Sequence, residues 1–469
     1  MKEIVPLWKH QREAAERAAN EHGFAFFFEM GAGKTLTAVT TLRHLCNRER
    51  GLLRTLIVCP PVVKTAWERE ILRGSTIPKD QLHILGGSGK DRLKTFKTHA
   101  AAGGIFITNY ESLLMKGLFK EIKGWGPEVL IFDESQMLKS FGAKRTKLAI
   151  ELSDIAHWRY LLSGTPILNS PMDIWSQYRI LDGGASFDRN FYAFRGRWFE
   201  DKNAGMPKQK YFPDWRPRAG LQDAFNKLIY KKAVRVLKKD CLDLPPLVRQ
   251  RLEVELTAEQ LKMYDSMKKH FVAYLNDKAC VASIALTKGL RLMQIVSGHW
   301  VDDEGNEHSF KNNPRVEALG SLLEEIGGEH KVIVWSCFRH GYADIAGVCD
   351  RLGLAYRTLY GGMTDKQRQE AVDSFQTDPS VRVMIANQAA GGTGVTLTAA
   401  SYAVYMSRSF NLEHDMQSEA RCHRGGSEVH AKITRVDIVA PGTIDDLVLA
   451  ALERKEDMAE SILRIGGKL

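Results

Sequence analysis

The 469-residue sequence contains no apolar run long enough to span a membrane and no Cys-x-x-Cys pair. Its seven cysteines are scattered: Cys46, Cys59, Cys241, Cys280, Cys337, Cys349 and Cys422. This pattern excludes a disulfide-rich secreted framework and a zinc site built on cysteine pairs. The segment Met1–Pro6 lacks the features of a secretory signal. We therefore expect a cytoplasmic protein with reduced thiols, no zinc site and no membrane partner.

Acidic residues are fewer than basic ones. The formal net charge is +10 and the isoelectric point is about 9.1, which favours a polyanionic partner. A chain of 469 residues suggests two or three domains, and a hydrophobic fraction of 44% is ordinary for a globular protein. Nucleic acid is the partner that these properties favour.

A short apolar run that meets a glycine turn and then a helical pattern is the first strong motif. The turn reads Gly31-Ala32-Gly33-Lys34-Thr35. Glycines allow a tight bend in which successive N–H groups point at one oxyanion. Lys34 supplies a cation for the β- and γ-phosphates of a nucleotide, and Thr35 supplies a hydroxyl for Mg²⁺. The general pattern has a glycine where this chain has Phe28.

Two adjacent carboxylates follow a fully apolar strand and form the second motif. Val129–Phe132 predicts a buried strand, and Asp133 and Glu134 stand at its end. Burying bare carboxylates is costly, so a compensating cation is expected. We expect Asp133 to hold Mg²⁺ and Glu134 to orient and deprotonate an attacking water.

Weaker signals surround these two motifs. Gln11, ahead of the glycine turn, has an amide that could read an adenine edge. Ser163 and Thr165 follow another apolar strand and either relay the nucleotide state or form an ordinary turn. Trp67 follows the strand that ends at Cys59, and it either touches a nucleic-acid backbone or belongs to the core.

The last strong motif is Gln417–Gly426. Arg421 and Arg424 are three residues apart, which places both on one face if the segment is a helix. Guanidinium groups stay charged and bind phosphate oxygens in a forked geometry. Without the other motifs, a helix with surface arginines would be the default interpretation.

Taken in order, these motifs resemble the helicase superfamily 2 ATPases, most specifically their Swi/Snf-like branch. The resemblance is nearly full length and includes Thr108–Glu111, Leu162–Pro166 and the basic segment before Leu244-Pro245. It implies an α/β fold with two tandem RecA-like lobes, residues 1–241 and 242–469, and a helical insertion over about 185–235. The boundary is expected near Leu242.

The resemblance also implies an activity. Such lobes hydrolyse ATP with Mg²⁺ in their cleft and move along nucleic acid, usually duplex DNA contacted through its backbone. It makes Arg424 the arginine finger, with Arg421 beside it and Gln417 near the phosphate or the water. The fifth motif falls at 388–395, so Gly394 is included among the nucleotide-binding residues.

Two alternatives stay open beside the duplex translocase. One is a superfamily 2 helicase that separates DNA or RNA strands. The other is an ATP-gated clamp that binds nucleic acid without travelling. The aromatic and basic stretch 187–220 is also ambiguous: it either grips nucleic acid or forms a small protrusion in which Phe191 and Phe194 are core residues. A short chain of this kind suits a bacterial or phage accessory protein.

Overall fold

Two parallel β-sheets organise the structure. The computed structural model describes residues 5–167, 170–207, 213–241, 243–276, 282–302, 304–391 and 395–463. The chain divides into two compact units. The first holds Met1–Gly205, Phe212–Leu242 and Glu456–Leu469, and the second holds Met206–Tyr211 and Asp243–Lys455. Leu242, where the sequence predicts the boundary, lies outside the described residues.

The first unit is built on a seven-stranded sheet whose neighbouring strands all run parallel. Its strands are β1 (Gly23–Phe28), β2 (Thr55–Cys59), β3 (Leu82–Ile84), β4 (Ile105–Asn109), β5 (Val129–Asp133), β6 (Trp158–Leu162) and β9 (Ala233–Val236). The order across the sheet is β3-β4-β2-β5-β6-β1-β9. A separate antiparallel ribbon pairs β7 (Phe199–Asp201) with β8 (Trp215–Pro217).

Helices connect the strands of this unit. They are α1 (Lys9–Ala19), α2 (Lys34–Arg48), α3 (Lys64–Gly74), α4 (Gly89–His99), α5 (Lys116–Trp125), α6 (Lys144–Ser153), α7 (Asp173–Asp182), α8 (Phe191–Trp198), α9 (Gln222–Lys231) and α10 (Lys238–Cys241). Short 3₁₀ turns lie at Pro61–Val63, Lys79–Gln81, Ala100–Ala102, Tyr110–Leu114 and Ser135–Leu138. Parallel strands require such crossovers, because consecutive strands must start from the same edge of the sheet.

Both faces of the first sheet are buried. Successive side chains of a strand point to opposite faces. In β1, Phe24, Phe26 and Phe28 therefore join one hydrophobic cluster, while Ala25 and Phe27 join another on the other face. A strand buried on both faces reads as a continuous apolar run, which is why β1 and β5 are evident in the sequence.

The second unit has a six-stranded parallel sheet in the order β10-β17-β16-β13-β15-β14. Its strands are β10 (Leu247–Glu253), β13 (Lys331–Trp335), β14 (Ala355–Leu359), β15 (Val381–Ala386), β16 (Ala400–Tyr405) and β17 (Ile433–Val439). A small antiparallel hairpin joins β11 (His299–Val301) and β12 (Glu307–Ser309). Two hydrophobic clusters again cover opposite faces, with Val332 and Val334 in one and Ile333 and Trp335 in the other.

The remaining helices are α11 (Ala258–Asn276), α12 (Ala282–Val296), α13 (Pro314–Ile326), α14 (His340–Arg351), α15 (Asp365–Thr377), α16 (Gln388–Gly391), α17 (Leu412–Glu419) and α18 (Ile444–Leu463), with a 3₁₀ turn at Gly327–Glu329. The two parallel sheets with flanking helices confirm the predicted α/β class and its two tandem lobes. Of the described helices, none combines the length and apolarity needed to cross a membrane.

One strand was not foreseen. The basic segment before Leu244-Pro245 covers residues 231–239, and its lysines are typical of a connection between lobes or of a solvated helix face. The structure instead places Ala233–Val236 in β9, which pairs with β1 at the edge of the first sheet. Ala233, Val234 and Val236 are buried there, and the neighbouring lysines obscure this apolar pattern in the sequence.

The stretch 187–220 is mostly a packed protrusion. Phe194, Trp198 and Phe199 are buried in one hydrophobic cluster, as the core interpretation predicts for Phe194. Phe191 is half-buried and packs against that cluster. Residues 208–212 of this stretch lie outside the described part of the chain.

Candidate functional site

The glycine turn lies between β1 and α2, at the carboxyl end of the strand. Gly31 and Gly33 have φ angles of 90° and 83°, in the left-handed region that favours glycine. The amide of Ala32 donates to the Glu29 carbonyl at 3.1 Å, which tightens the turn. A Cβ atom at Gly33 would collide with the Gln11 side-chain amide. The turn is thus held in the shape that a phosphate-binding loop requires.

Lys34 is the first residue of α2, and only 8% of it is exposed. Its ammonium donates to the Phe28 carbonyl at 2.9 Å, so the cation lies at the tip of β1. Thr35 follows it and is half-buried. Gly164 is close by, since a Cβ atom there would lie 3.6 Å from Lys34 Nζ. The helix start, the ammonium and the hydroxyl make a set of groups that suits the phosphates of a nucleotide.

Gln11 and His10 brace the glycine turn. The Gln11 amide nitrogen donates to the Gly33 carbonyl at 3.2 Å, and its amide oxygen accepts from the Trp8 backbone at 2.9 Å. The His10 ring is 2.9 Å from the Ala32 carbonyl. A role for Gln11 in adenine binding stays a prediction. What the structure adds is a direct contact between this residue and the turn.

Asp133 ends β5, two strands away from β1 in the same sheet. Its carboxylate accepts from the Trp67 indole at 2.8 Å and from the Glu134 amide at 3.0 Å. Burial, together with the nearby Glu134, raises the pKa of Asp133 to about 6, while Trp67 and Lys34 act in the opposite direction. A buried carboxylate with a raised pKa fits a cation such as Mg²⁺, whose charge would favour its ionised form.

Trp67 is therefore not available to nucleic acid. It is 1% exposed, and its indole N–H binds Asp133. Tyr110 supports the same strand end, since its hydroxyl donates to the Asp133 carbonyl at 2.6 Å. Neither hydrogen bond could be assigned from the sequence, because Trp67 and Tyr110 follow two different strands of the sheet and Asp133 ends a third. The signal available in the sequence is that Trp67 and Tyr110 both follow apolar strands, since the carboxyl ends of parallel strands meet at one edge of a sheet.

Glu134 begins a chain of hydrogen bonds. Its backbone is left-handed, with φ of 53°, and its carboxylate accepts from the Gln136 amide at 2.7 Å. The Gln136 oxygen accepts from the Ser163 hydroxyl at 2.7 Å, which in turn accepts from the Thr165 amide at 3.0 Å. The segment that holds Ser163 and Thr165 is a turn, and these hydrogen bonds link it to Glu134.

In the second unit, the structure corrects the predicted helical face for Arg421 and Arg424. Helix α17 ends at Glu419, and residues 420–424 form a turn followed by a bend. The Arg421 carbonyl accepts from the Leu397 amide at 3.0 Å, so it is not used by a continuing helix. The φ angle of Gly426 is 103°, which also departs from helical geometry. The arginines are therefore positioned by turns and tertiary contacts.

The two arginines have different surroundings. Arg421 is 5% exposed and donates to the Val395 carbonyl at 3.0 Å. Arg424 is half-buried, and burial lowers the pKa of its guanidinium. Within the described chain, no carboxylate pairs with Arg424. A half-buried cation without a counter-ion suits the binding of an anion supplied from outside the chain.

Gln417 and Gly394 are the other two predicted residues of this unit. Gln417 lies in α17, is buried, and donates to the Glu413 carboxylate at 3.2 Å. Gly394 falls within residues 392–394, which lie outside the described part of the chain. Both assignments stay predictions.

Comparisons with known proteins agree with these motifs. A family model described as SNF2-related domain matches residues 10–298, and one described as Helicase conserved C-terminal domain matches residues 314–426. The first match takes in the glycine turn and the Asp133–Glu134 strand end. The second includes Arg421 and Arg424.

The individual relatives have low sequence identity to this chain. Protein p41 of Acyrthosiphon pisum secondary endosymbiont phage 1 is 27% identical over 92% of this chain and 93% of its own length. A Caenorhabditis elegans homologue of the SWI/SNF-related matrix-associated actin-dependent regulator of chromatin subfamily A-like protein 1 is 27% identical over 97% of this chain, which spans 61% of that relative. The solved Sulfolobus solfataricus SWI2/SNF2 ATPase core in complex with dsDNA aligns over 99% of this chain and 94% of its own, with a TM-score of 0.46 and 22% identity.

Proposed function

Since the chain belongs to the SNF2-related family, we propose that it is an ATP-dependent motor that translocates along double-stranded DNA. The observation that carries the proposal is the first-unit site, where Lys34 and the Asp133–Glu134 pair stand at strand ends of one sheet. ATP hydrolysis is the activity of this family, and dependence on duplex DNA is our inference.

In this proposal the glycine turn and Lys34 bind the phosphates of ATP. Asp133 and Thr35 would hold Mg²⁺, which when bound neutralises charge on the phosphate oxygens. Glu134 orients the attacking water and takes its proton. As the water oxygen bonds to the γ-phosphorus, the bond to the bridging β–γ oxygen breaks, and ADP and phosphate leave.

Arg424 has its own role in the proposal. It stabilises the negative charge that develops on the transferring phosphoryl group, with Arg421 beside it. The support is that Arg424 is half-buried and pairs with no carboxylate of the described chain. The net charge of +10 and a relative named as a regulator of chromatin support DNA as the polymer. A relative encoded by a phage supports a bacterial cytoplasm as the setting.

The first experiment measures steady-state ATPase rates with no polymer, single-stranded DNA, duplex DNA and RNA. We expect the strongest stimulation by duplex DNA, followed by displacement of a triplex-forming strand. Stronger stimulation by single strands or RNA, together with fork unwinding, would replace the translocase by a strand-separating helicase. Turnover without triplex displacement or unwinding would leave an ATP-gated clamp.

Glu134→Gln tests the catalytic assignment. The amide cannot accept a proton from water, so we expect kcat to fall by about 10²- to 10⁴-fold with the melting temperature retained. Lys34→Ala should likewise abolish turnover. Glu151→Gln is the matched control, because that carboxylate is exposed on α6 and paired with Lys123. Wild-type turnover in Glu134→Gln would overturn the role assigned to this residue.

A further inference from the structure

An exposed cluster of rings lies on the first unit and has no part in the proposed chemistry. It consists of Phe141, Phe191, Tyr192, Arg195 and Trp215, which we call the aromatic–arginine face. Phe141 and Phe191 stack with ring centroids 3.9 Å apart and planes 13° apart, and the Tyr192 ring is 6.0 Å from Phe141. Arg195 lies over the Trp215 ring at 4.1 Å and over Tyr192 at 5.3 Å.

Two of these rings are unusually accessible. Tyr192 is 62% exposed and Phe141 is 37% exposed, and they are neighbours. Burying a ring normally stabilises a fold, so the exposed ring of Tyr192 contributes little to the core. Arg195 pairs with no carboxylate of the described chain and stacks on aromatic rings instead. Aromatic and guanidinium planes together form a surface suited to a flat, electron-rich partner.

The segment that carries Phe141 is basic, which favours a polyanion as the partner. Residues 138–147, which carry Phe141, contain four basic side chains and no acidic one. They are Lys139, Lys144, Arg145 and Lys147. Within the described residues none of the four pairs with a carboxylate, and Lys144 and Lys147 are exposed. A protein partner matched to the rings alone would not require this one-sided charge, whereas a nucleic-acid strand would.

We propose that the aromatic–arginine face binds a single-stranded stretch of nucleic acid by stacking an unpaired base on Tyr192, with the neighbouring lysines on the phosphates. The inference rests on the proposed function, because it assumes a nucleic-acid substrate. The inference adds a substrate preference to the proposed function. The bases of an intact duplex are stacked on one another, so an aromatic side chain can stack only on a base that is unpaired. The preferred substrate is therefore duplex DNA with an adjoining unpaired segment.

Binding to two substrates tests this inference. One is a blunt fluorescein-labelled duplex, and the other is the same duplex with a single-stranded thymidine tail that carries one 2-aminopurine. The variants are Tyr192→Ala, which removes the ring, and Tyr192→Phe, which keeps it. Ile155→Ala is the matched control, because Ile155 is 45% exposed in the same unit and lies outside the face.

We expect wild-type protein to bind the tailed duplex more tightly and to quench 2-aminopurine. Tyr192→Ala should weaken tailed-duplex binding by about fivefold to a hundredfold and lose the quenching, since one base–aromatic stack contributes about 1–3 kcal/mol. Its affinity for the blunt duplex should stay within about twofold by the same reasoning. Tyr192→Phe and Ile155→Ala should behave as wild type.

Two outcomes overturn the inference while leaving the motor in place. In one, wild type binds both duplexes and Tyr192→Ala binds the tailed duplex equally well. In the other, Tyr192→Ala weakens both substrates to the same extent, which would assign the face to the duplex backbone. Failure of wild type to bind either duplex would instead overturn the proposed function together with the inference.

Discussion

Two arginines of the second unit differ in how their charges are compensated. Arg435, on β17, is 3% exposed and donates to Asp415 at 3.0 Å, to Glu419 at 2.7 Å and to Asp437 at 3.3 Å. Arg424 is half-buried, and it pairs with no carboxylate of the described chain. One charge is compensated within the fold, and the other is not.

The compensated arginine holds structure together. Asp415 and Glu419 lie on α17, and Arg435 ties both to the second sheet. Burial opposes ionisation of Asp415, but Arg435 and Arg408 lower its pKa. A buried arginine that pairs with several carboxylates has a structural role. A buried charge without a partner destabilises the fold. Its presence is more readily explained if a ligand binds to it.

The largest effect is expected for Arg424→Ala. Loss of an arginine finger lowers kcat by about 10³- to 10⁵-fold in related phosphoryl transfers, so ATPase activity should fall on that scale. ATP binding should persist, and the melting temperature should not fall, because an uncompensated charge has been removed. Arg351→Ala, an exposed arginine of α14, is the control. Loss of ATP binding with kcat retained would contradict the finger role.

Arg435→Met should have the opposite profile. It removes one arginine partner from three largely buried carboxylates, although Arg408 still pairs with Asp415 and Asp437. The second unit should lose about 3 kcal/mol of stability, measured by urea unfolding. Arg249→Met is the matched control, since Arg249 also pairs with Glu419 but its side chain is 55% exposed, and its loss should cost about 1 kcal/mol or less. Equal losses in the two variants would remove the distinction drawn here.

Trp67→Phe tests a compensated group in the first unit. Asp133 loses the indole hydrogen bond while the aromatic packing is largely kept. Partners that orient a metal ligand contribute about 10- to 100-fold in affinity or activity, so the Mg²⁺ concentration for half-maximal ATPase should rise by at least about tenfold. Trp125→Phe, which loses a bond to the Ala100 carbonyl, is the control. An unchanged Mg²⁺ requirement would show that Trp67 only fills the core.

His299 should give the smallest effect and shows a third solution, in which the buried group stays neutral. Burial and the neighbouring His340 lower its pKa to about 4, against an ordinary 6.5. The unfolded chain therefore binds a proton between these values that the folded chain does not, and stability falls as pH drops below about 6.5. Between pH 8 and pH 5.5 the expected loss is about 1.4 kcal/mol.

The measurement is urea unfolding at both pH values. His299→Phe should lose this part of the pH dependence, because a neutral ring cannot take up a proton in either state. The wild type minus variant difference isolates His299 from other titrating groups. If both proteins respond equally to pH, the ring is not buried in neutral form.

Short-range chemistry explains what could be predicted from the sequence. The glycine turn of residues 31–33 needs left-handed backbone, and Lys34 follows it directly, so the loop is encoded within a few residues. Strand β5 and its terminal Asp133 are likewise evident, because an apolar run followed by two carboxylates has few other interpretations. Strand β9 was missed, since the lysines beside Ala233–Val236 resemble a solvated connection.

The sequence by itself determined the α/β class, the family and the identity of the charged groups. Only the tertiary structure decided which of those charges are compensated. The Trp67–Asp133 bond joins residues 66 positions apart, and the Arg421 carbonyl is taken by Leu397, which helps to end α17 before the arginines. If the helix continued, Arg421 and Arg424 would lie on the same face of it. Hydrogen bonds to distant backbone groups compete with the hydrogen bonds that would continue the helix. Such competition depends on the order of strands in the sheet, which local patterns do not specify.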